Sequence, residues 1–342
     1  MALIRPLARA SAFRVLLAVC CTSLFGGAHA QVLSYSAGLS TAEQARTYTW
    51  ALAYEHGLSK HWAASLTWLN EGHIPNHHRD GQSVQLWTRL PVFDGRGMLE
   101  AGVGPYLYFD TTVHPGSARY SDEHGVGALM SIRASYALTK HWTTQLQVNR
   151  VALRGSPDST GAMLGIGYRF DVASKGAWST GTRSTSTSSQ AAPYAPADST
   201  QAVTLYAGQT ILNSTRSPSA FATALDWRTE LGDHLAASFG YLHESSREQA
   251  RRDGVTTQIW ARQAFNDGRF ELSAGTGLYY AINEYEGSEI PGPGDGTVSA
   301  LISISAAYRL SNRWQARLTW NRVATHYDRD TDVIVGGLGF RF

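Results

Sequence analysis

Polar and apolar residues alternate along most of this 342-residue chain. Around Trp142 one side carries Trp142, Thr144, Leu146 and Val148, and the other carries Thr143, Gln145, Gln147 and Asn149. A later stretch sets Trp314, Ala316, Leu318 and Trp320 against Gln315, Arg317, Thr319 and Asn321. An earlier one sets Trp62, Ala64, Leu66 and Trp68 against Ser65, Thr67 and Glu71. A period of two predicts strands with one greasy and one polar face. Eight such segments are expected near residues 33–39, 47–56, 61–71, 82–92, 98–110, 126–138, 141–150 and 160–170. Eight more are expected near 203–210, 219–229, 234–244, 255–265, 269–281, 298–310, 313–323 and 332–342. Short turns such as 57–60, 93–97 and 138–141 alternate with longer polar connections. The fold class is therefore all-β and antiparallel.

The second set of strands repeats the first. Ala63-Ala64-Ser65 reappears as Ala236-Ala237-Ser238 and Asp80-Gly81 as Asp253-Gly254, both 173 residues on. Asn149-Arg150-Val151-Ala152 reappears as Asn321-Arg322-Val323-Ala324, 172 residues on. Each copy ends on a similar strand, Gly165-Ile-Gly-Tyr-Arg-Phe170 and Gly337-Leu-Gly-Phe-Arg-Phe342. Such self-similarity is a tandem duplication. Residues 173–201 between the copies are rich in Ser, Thr, Ala and Gly without periodicity, the composition of a flexible linker. The expected organisation is 1–30 as a leader, 31–172 as the first repeat, 173–201 as the linker and 202–342 as the second repeat.

The leader has the three parts of a cleaved export signal: Arg5, Arg9 and Arg14, an apolar run from Val15 to Phe25, and Ala28-His29-Ala30. Cys20 and Cys21 both lie in it, so the remainder has no thiol chemistry. Setting aside its three Arg leaves 26 basic against 27 acidic residues, with no basic excess to suggest nucleic acid as a partner. Beyond the leader no stretch approaches the run of about 18 apolar residues of a membrane helix. The chain nonetheless holds 10 Trp, 16 Tyr and 33 Gly. A soluble sandwich also alternates, but has no need of aromatics at both ends of its strands. An exported, aromatic-rich, alternating chain fits a transmembrane barrel with its polar face inward. Two tandem eight-stranded units are expected, each with its own closing strand. The alternative is one sixteen-stranded barrel, wide enough for a water channel.

The eight-strand unit and the terminal aromatic strand resemble the small bacterial outer-membrane barrels: the OmpA transmembrane domain, OmpX-like proteins and PagL-type lipid A deacylases. That resemblance implies contact with outer-membrane lipid and lipopolysaccharide. It also implies that Tyr168, Phe170, Phe340 and Phe342 form an assembly signal read by the barrel-assembly machinery. It does not carry over catalysis. The deacylases place His-x-Ser at the end of the seventh strand, where this chain has Asn149-Arg150-Val151 and Asn321-Arg322-Val323.

An eight-stranded barrel is just wide enough for side chains to fill. Gln85, Arg89, Glu100, Tyr106, Tyr108, Arg133, Gln145 and Gln147 are the expected filling of the first lumen. Arg89 and Glu100 flank the turn at 93–97 and form a candidate interior ion pair, with Arg262 and Glu271 as its second copy. Glu71, Asn149, Glu244 and Asn321 are the inward or rim groups a catalytic reading would use. For Asn149 and Asn321 a structural hydrogen bond across to a neighbouring strand is the competing expectation. His73, His77, His78 and Asp80 are the residues a metal would need, but the second copy keeps only part of the pattern, and a solvated loop tip with Asp80-Gly81 as its turn is preferred. Asp328, Asp330 and Asp332 alternate as in a calcium loop but lack its Gly and Glu. No cofactor is expected, and no extracellular ligand can be named. The function expected is a structural, surface-interaction or envelope-associated role. The alternatives are a lipid A or phospholipid-modifying enzyme, and a porin-like channel if the halves merge.

Overall fold

In the computed structural model of the chain, two antiparallel sheets each close on themselves. The structure describes residues 31–43, 45–74, 77–113, 120–170, 200–212, 219–245, 252–266, 268–282, 298–325 and 330–342. The leader 1–30 and nearly all of the linker, residues 173–199, lie outside the described residues, as does Asp328.

The first barrel consists of β1 (Gln31–Ala42), β2 (Ala45–Gly57), β3 (Trp62–Ile74), β4 (His77–Val92), β5 (Gly97–Val113), β6 (Tyr120–Ala137), β7 (Trp142–Ala152) and β8 (Ser159–Arg169). The second consists of β9 (Gln201–Leu212), β10 (Ser219–Glu230), β11 (Leu235–Glu244), β12 (Arg252–Phe265), β13 (Phe270–Ala281), β14 (Val298–Arg309), β15 (Trp314–Ala324) and β16 (Thr331–Arg341). Neighbours in sequence are neighbours in each sheet. The first barrel closes by pairing β1 with β8, Val32 opposite Arg169 and Thr41 opposite Thr160. The second closes by pairing β9 with β16, Ala202 opposite Arg341 and Leu212 opposite Thr331. The sixteen-stranded alternative is not adopted. Closure leaves no strand edge bare, the requirement for strands in lipid, where an unpaired N–H or C=O costs several kcal/mol.

Alternation sorts the side chains as a barrel wall requires. Along β7 Trp142, Leu146 and Val148 are exposed, while Thr143, Gln145, Gln147 and Asn149 are buried. The outer face carries Leu86, Ile132, Leu164, Leu205, Ile259 and Leu318, all exposed. Aromatic pairs sit on it near the short-turn end. Trp142 meets Tyr168 edge-on at 5.0 Å, and Trp314 meets Phe340 at 5.3 Å. These are register partners, so each closing strand is stapled to its predecessor through its rings.

Three of the short turns share one design. Leu58 N and Ser59 N donate to Trp62 O at 2.9 and 3.0 Å, and Ser59 Oγ accepts from Trp62 N at 3.1 Å. Leu138, Thr139 and Trp142 repeat this at 2.9, 3.1 and 3.0 Å, and Leu310, Ser311 and Trp314 at 2.9, 3.1 and 3.1 Å. The hydroxyl ties off a backbone N–H that the hairpin leaves over.

At the opposite end β3 and β4 run further than their alternation suggests, to Ile74 and from His77. Asp80-Gly81 is therefore strand, not turn, and the expected solvated tip is displaced outward. The extension contains a bulge between Asn70 and His73. Gly72 allows it: its φ is +75°, and a Cβ there would stand 2.1 Å from the Tyr48 carbonyl oxygen.

Candidate functional site

The chemistry-bearing side chains converge in the two lumens. In the first barrel the short-turn half holds Glu55, Arg89, Glu100 and Arg133, all buried. Arg133 Nε donates to Glu100 Oε2 at 2.6 Å, and its Nη2 bonds Glu55. Arg89 reaches Glu55 at 3.5 Å. The expected Arg89–Glu100 pair is thus replaced by a four-membered network. Although Arg89 and Glu100 are register partners, all eight strands point their inward side chains at one axis, so Glu55 on β2 and Arg133 on β6 compete for them. Arg133 also lies over Trp87 at 4.3 Å, and Trp87 Nε1 donates to Ser65 Oγ at 2.8 Å. Sequence reasoning named neither Glu55 nor Trp87, although each has inward parity.

The second barrel reuses this region with different residues. Arg262 meets Glu271 at 2.8 Å and Glu230 at 2.8 Å, Arg317 meets Glu271 at 3.0 Å, and Arg341 meets Glu230 at 3.1 Å. The register partner of Arg262 is Ser273, so Ser273 and not Glu271 occupies the place of Glu100. Glu271 stands one inward step nearer the turn. Trp260 repeats Trp87, donating to Ser238 Oγ at 2.9 Å, with Arg228 over its ring at 3.8 Å.

The long-connection half of each barrel is built on a carboxylate and an arginine. Arg79 grips Glu71 with both arms, Nε to Oε1 at 2.8 Å and Nη2 to Oε2 at 2.7 Å. Tyr106 donates to the same carboxylate at 2.9 Å, and Ser159 bonds it as well. Beside this pair Arg79 Nη1 donates to Ser156 Oγ at 2.7 Å, Ser156 donates to Asp110 at 2.7 Å, and His77 Nδ1 lies 3.0 Å from Asp110. In the second barrel Arg252 Nε donates to Glu244 at 2.9 Å, Thr210 donates to Glu244 at 2.8 Å, and Arg252 also bonds Thr331. Arg79 and Glu71 are 0% and 1% exposed at the side chain, so the preferred reading of this stretch as solvated loop does not hold. A carboxylate with both oxygens committed to a bidentate arginine and two hydroxyls is a lock between strands and not a free base.

Asn149 and Asn321 point inward to the same depth. Ser131 Oγ and Gln147 Nε2 donate to Asn149 Oδ1 at 2.7 and 2.8 Å, and Ser303 Oγ donates to Asn321 Oδ1 at 2.6 Å. The four metal candidates disperse. His73 and His78 face each other on the outer side with ring centroids 4.7 Å apart, Asp80 accepts from Trp68 at 3.2 Å, and His77 turns into the lumen toward Asp110. Strand parity separates His77 from the other three, since His77 and His78 must point to opposite faces. Among the described residues no group of three or more His, Cys, Asp or Glu is placed to hold a metal ion. Asp332 accepts from Trp320 and Arg322 at 3.0 and 2.6 Å, and Asp330 accepts from Thr325 N at 2.7 Å.

No family model matches the chain. It is 31% identical over 146 residues to the outer membrane protein A of Serratia marcescens. That match covers 39% of this chain and 39% of that protein, so the chain spans about two fifths of its curated relative's length. Among solved structures it resembles the N-terminal β-barrel domain of Pseudomonas aeruginosa OprF, at 14% identity over 41% of this chain and 97% of that one, TM-score 0.32. It also resembles Neisserial surface protein A, at 14% identity over 42% and 99%, TM-score 0.33. The attachment invasion locus protein Ail of Yersinia pestis matches at 11% identity over 41% and 97%, TM-score 0.32. By sequence the chain is similar to outer membrane protein A over one stretch of 146 residues, and it folds into two closed eight-stranded barrels, the arrangement expected of a tandem duplication.

Proposed function

We propose that this chain is an outer-membrane protein whose two sealed barrels anchor it in the envelope, where it serves a structural or surface-interaction role. On this reading the segment 1–30 is removed behind Ala30 after export, and residues 31–172 and 202–342 are the two membrane units joined by 173–201. Lipid and lipopolysaccharide surround the exposed Leu, Ile and aromatic band, and Tyr168, Phe170, Phe340 and Phe342 present the closing strands to the barrel-assembly machinery.

The observation that carries the reading is the occupancy of the lumens. Each is crossed at two levels by arginine–carboxylate locks, with a buried indole and a buried tyrosine between them. Such filling supports anchoring over conduction, since a barrel of about eight strands has no width to spare. It also removes Glu71 and Glu244 from general-base duty, which weakens the enzymatic alternative. Planar-bilayer recording of the purified full chain tests this. The expected result is no stable open channel, together with a lipid A mass spectrum that is the same in cells with and without the protein. A reproducible conductance step returns the porin-like reading, and a changed lipid A mass returns the enzymatic one.

A further inference from the structure

The lumen of the second barrel contains a cavity of about 30 Å³ whose lining includes Asp226, Arg228, Gln258, Trp260, Thr319 and Asn321. A water-sized species needs about 10–15 Å³ by this measure, so there is room for one or two. Register aligns the cavity with the first barrel. Gly240 stands where that barrel has Thr67, each opposite the matched pair Asp226/Thr256 or Ala53/Ser83. Thr319 stands where it has Gln147. These shorter side chains leave space beside Arg228, while Tyr206, in the place of Ser36, closes the other side.

Arg228 is itself an exchange, replacing Glu55 of the first barrel. It is 6% exposed, and among the described buried arginines of this lumen it is the poorly satisfied one. Arg262, Arg317 and Arg341 each have a carboxylate oxygen within 3.1 Å. The carboxylates nearest Arg228 are Asp226 at 3.7 Å and Glu271 at 3.9 Å, outside hydrogen-bond reach. Its Nη1 donates weakly to Ser273 Oγ at 3.3 Å, and its Nε and Nη2 have no hydrogen-bond partner. One face is covered by Trp260, so an acceptor must approach in the guanidinium plane, from the cavity. Arg228, Arg262, Arg317 and Arg341 are buried here against buried Glu271 and half-buried Asp226 and Glu230, and half-buried Arg309 faces the same two glutamates, so positive charge exceeds negative in this region. A buried charge without a partner is strongly unfavourable, and charge-assisted donors favour an ionic acceptor.

We propose that this cavity is a binding site for one small monovalent inorganic anion of the halide class, held in the plane of the Arg228 guanidinium. The small volume and the nearby Asp226 carboxylate work against larger or multivalent anions. The first barrel, with Glu55 at this position, has no equivalent site.

Bromide is the probe. Crystals of the full chain, grown free of other halides and soaked in sodium bromide, should give anomalous density within hydrogen-bonding reach of Arg228 Nε or Nη2 and none beside Glu55. Arg228→Gln, which keeps a polar amide but removes the charged guanidinium, should lose that density. Val335→Met keeps the guanidinium and restores the methionine that the first barrel has at this depth, as Met163. It should lose the density too, which covers the case in which Arg228→Gln does not fold. A wild-type cavity without anomalous density, whether filled by water or empty, overturns the proposal. So does bromide density that persists in Arg228→Gln.

Discussion

At the scale of single residues the decisive pairs are Glu71–Arg79 and Glu244–Arg252, repeated at the same depth in both barrels. Removing one partner of a buried pair leaves an uncompensated charge, at a cost of about 3–5 kcal/mol. Arg79→Leu should therefore lower the stability of the first barrel by about that amount, read as the urea midpoint of refolded protein in detergent. Glu71→Leu combined with Arg79→Leu should recover much of the loss, since the pair then disappears together. A double variant as weak as the single one would assign the loss to packing. The inward position of Glu71 was readable from its parity with Ser65 and Thr67, but its partner was not. Arg79 lay in a stretch whose three His and Asp-Gly read as loop, and no local pattern reveals that an eight-residue separation folds back into a hairpin above the wall.

The elements were the most legible level, because alternation is a direct print of the pleat. What alternation cannot carry is the point where a strand stops being wall and becomes an extension beyond it. Residues 70–74 and 77–80 kept pairing past the expected turn because Gly72 absorbs an extra residue. Gly72→Val should break this. A side chain there has both a positive φ and the Tyr48 carbonyl to contend with. The expected result is loss of the Glu71–Arg79 register, seen as accelerated amide exchange of β3 beyond Asn70 and of β4 before Asp80, with the rest of the first barrel unchanged. Equal protection in variant and wild type would show that the bulge tolerates a Cβ. Register also explains the misplaced copy of Glu100. Arg262 and Glu271 are near enough in sequence to suggest equivalence, yet only pairing distances reveal that Ser273 takes that place.

For the whole molecule the central fact is two closures. Each half supplies its own first and last strand, so no strand of either barrel is needed by the other. Residues 31–172 and 202–342 expressed separately should each give a compact, heat-modifiable barrel on a gel. Halves that insert only when co-expressed would contradict this. The duplication and the two closing strands made the count of eight legible. The choice between two barrels and one was not, because a sixteen-stranded cylinder would satisfy every backbone group equally well. What the sequence hid was the divergence of the fillings, since Glu55 and Arg228 are unlike in charge and only their shared wall position makes them counterparts.

The recurring turn braces two parts of the first barrel in the same way. The hydrogen bonds of Leu58, Ser59 and Trp62 recur 80 residues later at Leu138, Thr139 and Trp142. The same spacing links Arg89, which bonds Ser59 O, to Arg169, whose Nη2 donates to Thr139 O at 2.7 Å. His61 and His141 each set Nδ1 near the carbonyl of that arginine, at 3.3 and 3.1 Å. Strands β2–β4 and β6–β8 are thus variations on one theme inside a single barrel. A three-stranded piece has two bare edges and cannot persist alone in lipid. Repetition of this kind inside a wall can therefore persist only where the pieces complete a closed ring, as they do in each of the two barrels.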